Sequence, residues 1–263
     1  MIKPKYLYHG SQHKVDILIP HTAKGLPEEN GTEFGIYAYE KSDIVCPFTL
    51  DIKPYKNGTM SFHGDDLTGV TTIFAGTLDE NSKGYIYKVS SDSFERIDDH
   101  QWLSKIPIVP VEIKEVYVKD FIDKIFFKGS AKEIHQIADS IASCGLVCNL
   151  CHFADNCGGC KSDANCCGVR KTAGDCYQYD CCSEKCIDGC WECDIAPCDK
   201  GMFSDSHDVR LRAFIKYIKE NSRNRLAERL YFNMQNGIHY GHNKDYDGLG
   251  SIDEVIEKLE VLK

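Results

Sequence analysis

Cys144-Gly145-Leu146-Val147-Cys148-Asn149-Leu150-Cys151 opens a stretch that runs through Cys157-Gly158-Gly159-Cys160 to Cys190-Trp191-Glu192-Cys193 and Pro197-Cys198. Fourteen of the chain's 15 cysteines fall in it: Cys144, Cys148, Cys151, Cys157, Cys160, Cys166, Cys167, Cys176, Cys181, Cys182, Cys186, Cys190, Cys193 and Cys198. Only Cys46 lies elsewhere. Three C-x2-C pairs, Cys148/Cys151, Cys157/Cys160 and Cys190/Cys193, each let two thiolates of one tight turn reach one ion. Zn²⁺ takes four such ligands in a tetrahedron, with Zn–S near about 2.3 Å. All fourteen are therefore candidate metal ligands. The intervals are rich in Asp, Asn, Lys and Gly and poor in large apolar residues. Such a segment lacks a core of its own, and bound metal would supply its folding free energy.

A disulfide framework needs an oxidising compartment. The start of the chain, Met1-Ile2-Lys3-Pro4-Lys5-Tyr6-Leu7-Tyr8, has no apolar h-region of a secretory signal, so a cytoplasmic protein with reduced thiols is expected. An iron–sulfur cluster uses the same ligand, and Cys144-x3-Cys148-x2-Cys151 has the spacing of radical S-adenosylmethionine enzymes. Those enzymes resemble large α/β barrels, and no barrel pattern follows here, so Zn²⁺ is the expected ion. His152, beside Cys151, could stand in for a thiolate.

Working outward, the composition changes near residue 143. The expected organisation is an α/β (α+β) domain over 1–128 and a small helical, cysteine-rich metal-binding domain over 129–263. On the N-terminal side, Tyr6–Tyr8, Gly35–Tyr39, Tyr85–Val89 and the stretch from Ile106 to Val118 are rich in β-branched and aromatic residues and read as strands. The stretch from Pro54 to Gly76 reads mostly as loop. A helix is predicted over 131–143, with Ser130 and Glu133 as a capping box and Ile134, Ile137, Ala138 and Ile141 as its apolar face. Leu211, Phe214, Ile215 and Ile218 predict a second helix. Leu226, Leu230 and Met234 predict a third, stopped by Gly237. A last helix starts at Ser251 with Glu254 as its capping partner.

The 263 residues carry a net charge of −9 and are 42% apolar. An acidic chain gains no general attraction to nucleic acid or anionic lipid, and no run of about 18 apolar residues suggests a membrane span. The expected partner is a macromolecular target, protein rather than nucleic acid. Arg210, Arg212, Lys216 and Lys219 read as a solvated helix face. Asn243 to Glu254 mimics a calcium loop, but Asn stands at its first position and the segment reads better as a turn followed by a helix cap.

Two resemblances attach to particular residues. The cysteine stretch, with the helices after it, Gly237-Ile238-His239-Tyr240 and Asp245-Tyr246-Asp247, resembles a prokaryotic cysteine-rich family of unknown function over about residues 144–260. That implies a self-contained domain and no reaction. Cys166 and Cys167 depart from its pattern.

Tyr8-His9-Gly10-Ser11 and Phe34-Gly35-Ile36-Tyr37-Ala38 resemble the two strand motifs of the ADP-ribosyltransferase fold, poly(ADP-ribose) polymerase type, over about residues 1–125. The resemblance implies transfer of ADP-ribose from NAD with release of nicotinamide. His9 would hold a ribose hydroxyl, Gly10 and Ser11 a carboxamide, and Tyr37 would stack on nicotinamide beside Gly35. An acid, Glu115 or Glu112, would steady the positive charge of bond cleavage. The two acids are three apart, so on a strand they face opposite sides and one at most can serve. His9 and Tyr37 are expected to line one pocket. Such a protein would be an NAD-dependent transferase whose zinc module chooses the target. The competing reading is a non-catalytic nucleotide-sensing or adaptor protein with a metal-stabilised surface.

Overall fold

A computed structural model describes residues 3–22, 34–162, 176–204 and 209–261. The protein is a mixed α+β chain that divides into two compact units. The first comprises Met1–Pro54 and Gly58–Lys128, the second Tyr55–Asn57 and Gly129–Lys263. Tyr55–Asn57 counts with the second unit because Tyr55 packs edge-on against Phe232 and the Lys56 N–H donates to Glu228 Oε1 at 2.8 Å. Sequence spacing gave no sign of this tie. No helix among the described residues is long and apolar enough to cross a membrane.

The first unit is built on strands β1 (Tyr6–Ser11), β2 (Ile36–Tyr39), β3 (Ser61–Gly64), β4 (Thr71–Ala75), β5 (Lys83–Ser90), β6 (Glu95–Arg96), β7 (Gln101–Ser104), β8 (Glu112–Tyr117) and β9 (Ile125–Phe127). Six of them form an antiparallel sheet in the order β6-β7-β2-β1-β5-β8. The remaining three form a second sheet in the order β3-β4-β9. Two of these, β3 and β4, occupy the stretch expected to be mostly loop. Thr71-Thr72-Ile73 is β-branched, and its glycine-rich flanks hid it. Conversely, the long strand expected from Ile106 begins only at Glu112. Leu7, Ile36, Ala38, Tyr87, Val89 and Trp102 form the core on one face of the larger sheet.

The described helices of the second unit are α1 (Gly129–Asp139), α2 (Tyr177–Glu184), α3 (Arg210–Glu220), α4 (Arg223–Gln235) and α5 (Ile252–Leu259). In α1, Ile134, Ile137 and Ala138 are buried as the spacing predicts. The helix starts at Gly129, before the expected 131, and the Ser130 hydroxyl meets that of Tyr55 at 3.1 Å. Helix α3 buries Leu211, Phe214, Ile215 and Ile218. Helix α4 buries Leu226 and Leu230, while Met234 is only half-buried. Gly237 follows α4 at φ 81°, a conformation that suits glycine. Helix α5 is capped as expected: the Glu254 N–H donates to Ser251 Oγ at 3.2 Å. The acidic loop before it serves the chain itself. Asp247 accepts the Asn243 N–H and pairs with Arg210, Asp245 accepts the His239 N–H, and Glu254 accepts the Gly250 N–H.

Candidate functional site

Two of the three C-x2-C pairs fold as single turns of 3-10 helix. The Cys151 N–H closes on the Cys148 carbonyl at 3.1 Å, and the Cys193 N–H on the Cys190 carbonyl at 3.1 Å. One tight turn thus presents two sulfurs, the geometry that made the spacing informative. The third pair, Cys157/Cys160, takes an open turn in which Gly159 has φ 84°. A β-carbon at Gly159 would lie 3.2 Å from the Cys148 sulfur, so bare backbone is needed where this turn crosses the first one.

Sulfurs and apolar side chains share one core. Cys144, Cys182 and Cys190 are buried with Ala142, Phe203, Leu211 and Ile215, and Cys148, Cys160, Cys193 and Cys198 pack against that cluster. Helix α3 and the turn at Cys190 therefore meet over thiols. No disulfide joins the described cysteines. Around Cys144 lie Cys148, Cys160 and Cys176. Burial pushes the Cys144 thiol far up, and the charges of those neighbours push it further. Around Cys190 lie Cys182, Cys144 itself and Cys198, with Cys181 and Cys193 near Cys182. Burial and then its sulfur neighbours push Cys190 far up as well. Buried thiols packed so closely cannot ionise together unless a cation shares the space. Cys193 differs: the Ile195 N–H, helped by the Lys185 ammonium at 3.3 Å, holds its thiol below the ordinary range.

The fourteen candidate ligands are therefore not equivalent. Cys186 is exposed in the turn after α2, at φ 53°. Cys151 and Cys157 are half-buried. Cys166 and Cys167 lie outside the described residues. His152 Nδ1 is 3.8 Å from the Cys151 sulfur, and its ring lies 5.2 Å from that of His242. His242 was not anticipated, and it is close only because the chain returns to this place after α4.

The N-terminal constellation is arranged differently from the expectation. In β1 and β5, His9 stands opposite Tyr87, and in β1 and β2, Tyr8 stands opposite Tyr39. Opposed residues share a face and successive residues alternate. The His9 side chain therefore lies on the face of Leu7, Ala38 and Tyr87, whereas that of Tyr37 lies on the face of Tyr8, Gly10 and Tyr39. They cannot line one pocket, which corrects the expectation. What joins them is a backbone contact: His9 Nδ1 donates to the Tyr37 carbonyl oxygen at 2.8 Å.

The acids divide in the same way. Glu115 opposes Tyr85, which opposes Ser11, so it shares the His9 face; Glu112 opposes Lys88 and shares the Tyr37 face. The two acids do face opposite sides. Both are exposed, Glu115 taking Lys83 Nζ at 3.1 Å and the Tyr117 hydroxyl at 2.9 Å. Gly10 and Gly35 were expected to let a ligand approach. Their spaces are taken by the chain itself: a β-carbon at Gly10 would overlap the Val45 carbonyl and press on Phe48, and one at Gly35 would overlap Leu103. Burial lowers the His9 pKa, against the raising effect of its bond to Tyr37.

No protein-family model, curated protein or solved structure matches the chain.

Proposed function

We propose that the second unit is a zinc–thiolate domain and that the protein is an adaptor whose interaction surface is stabilised by bound metal. The observation that carries this reading is the sulfur core, in which Cys144, Cys182 and Cys190 are 5%, 2% and 7% exposed with no disulfide among the described cysteines. Cysteine is a small side chain and gives little apolar burial. A core in which cysteine takes so large a part gains little from burial unless its thiolates share an ion, and structural zinc contributes folding free energy directly. The filled spaces over Gly10 and Gly35 favour an adaptor over a transferase. Elemental analysis of protein purified under reducing conditions tests the proposal. Two or more equivalents of zinc per chain are expected; a folded domain without metal would overturn it.

The second reading is NAD-dependent ADP-ribosyl transfer to a protein target. It is supported by the placement of His9, Ser11 and Glu115 on one face of the sheet, with His9 held in a fixed tautomer by the Tyr37 carbonyl. On this reading His9 and Ser11 bind NAD, Glu115 steadies the developing charge, and Tyr37 acts through its backbone alone. Release of nicotinamide in the presence of protein acceptors, lost in Glu115→Gln, tests it.

A further inference from the structure

Cys182 and Cys190 bring their sulfurs to 3.7 Å of each other. In a tetrahedral zinc–thiolate centre with Zn–S of about 2.3 Å, two sulfurs are separated by about 3.8 Å, the length of a tetrahedron edge. The pair borders a cavity of about 30 Å³ whose wall also includes Cys181, Cys193, Cys198 and Lys185. A space of that size has room for an ion among the surrounding sulfurs.

We infer that Cys182, Cys190, Cys193 and Cys198 form one mononuclear four-thiolate site for a divalent ion of the zinc class. This deepens the proposal of a zinc–thiolate domain and rests on it. Each ligand comes from a defined place: Cys182 from α2, Cys190 and Cys193 from one 3-10 turn, and Cys198 from the segment after Pro197. Cys181 also borders the cavity, but adjacent residues of a helix point about 100° apart. Cys182 is the one that turns inward to Cys190, and Cys181 is left half-buried.

Among the described residues no third cysteine sulfur lies within 4.8 Å of both Cys182 and Cys190. The ion therefore completes the site by drawing in Cys193 and Cys198. A change of χ1 rotamer moves a cysteine sulfur by about 3 Å, and both sulfurs border the same cavity as the pair. Lys185, 3.3 Å from the Cys193 sulfur, offsets part of the excess negative charge of four thiolates around one divalent ion.

The test uses the full-length protein loaded with Zn²⁺ or Co²⁺. Cys182→Ser, Cys190→Ser, Cys193→Ser and Cys198→Ser should each lose one bound equivalent, and Cys186→Ser none. The Co²⁺ lost should carry the sulfur-to-metal charge-transfer bands of a tetrahedral four-thiolate ion. Alkylation of wild-type protein, read by mass spectrometry, covers variants that fail to fold. Metal should protect these four cysteines while Cys186 reacts freely. The assignment falls if Cys193 or Cys198 is alkylated as fast as Cys186, or if Cys181→Ser loses the equivalent that Cys198→Ser keeps. In those outcomes the chain still binds zinc and the domain proposal stands. Protein that takes up neither ion overturns both.

Discussion

His9 and Tyr37 meet through one hydrogen bond, from the imidazole Nδ1 to the Tyr37 carbonyl oxygen at 2.8 Å, while their side chains leave opposite faces of the sheet. A carbonyl can only accept, so Nδ1 carries the proton and Nε2 of the neutral ring is an acceptor. The contact fixes one tautomer and does so from a strand, where the backbone is held by its ladder.

The same contact makes substitutions at the two positions separable. If the N-terminal unit binds NAD on the His9 face, His9→Ala should weaken it by about threefold to tenfold, the worth of one hydrogen bond. Tyr37→Ala and Glu112→Gln should leave affinity unchanged, because those side chains are across the sheet. Calorimetric titration with NAD and with ADP-ribose checks this, and equal losses at His9 and Tyr37 would show that the register is wrong.

His9 also sets a pH dependence. Its folded pKa lies below the ordinary 6.5 because burial disfavours the charged ring. As pH falls below 6.5, the unfolded chain takes up this proton before the folded chain does. Stability therefore falls with decreasing pH, from its full value above that point until the folded pKa is passed. Urea unfolding at neutral and mildly acidic pH should show this loss, and His9→Gln should flatten it.

Gly159 is placed to report on the sulfur core. At φ 84° a side chain is strained, and its β-carbon would come 3.2 Å from the Cys148 sulfur. Gly159→Ala should therefore weaken metal retention, measured by competition with a chromogenic chelator, beyond what backbone strain of about 1–2 kcal/mol does to stability. A variant destabilised by that amount but with unchanged metal retention would separate the turn from the site.

Removal of metal should unfold the segment from Cys144 to Cys198 and leave the first unit folded. Apart from Cys46, the first unit holds no cysteine. Limited proteolysis after chelation should leave a stable fragment of about residues 1–140, as expected when metal binding is folding free energy. Equal resistance of both halves would contradict a structural role for the metal.

Asn233 ties the end of the chain to α4. Its amide donates to the Tyr246 hydroxyl at 2.7 Å and to the Leu259 carbonyl at 3.1 Å, all within the core. Asn233→Ala should cost about 2–3 kcal/mol, since it removes two buried bonds and leaves their acceptors unmet. Thermal unfolding of metal-loaded protein measures it.

By itself the sequence determined what local periodicity and spacing can determine. Ile134, Ile137 and Ala138 on α1, Leu211, Phe214, Ile215 and Ile218 on α3, and the Ser251 cap of α5 follow from contacts a few residues apart. The C-x2-C turns were legible for the same reason. Tertiary structure decided everything that needed distant segments to meet. Which face of the sheet each of His9, Tyr37, Glu112 and Glu115 takes depends on strand register, and one residue of shift reverses every side chain. The inward turn of Cys182 rather than Cys181 and the approach of His242 to His152 depend on how α2, the 3-10 turns and the segment after α4 pack. A spacing motif shows which thiols can share an ion; only the packed chain decides which ones do.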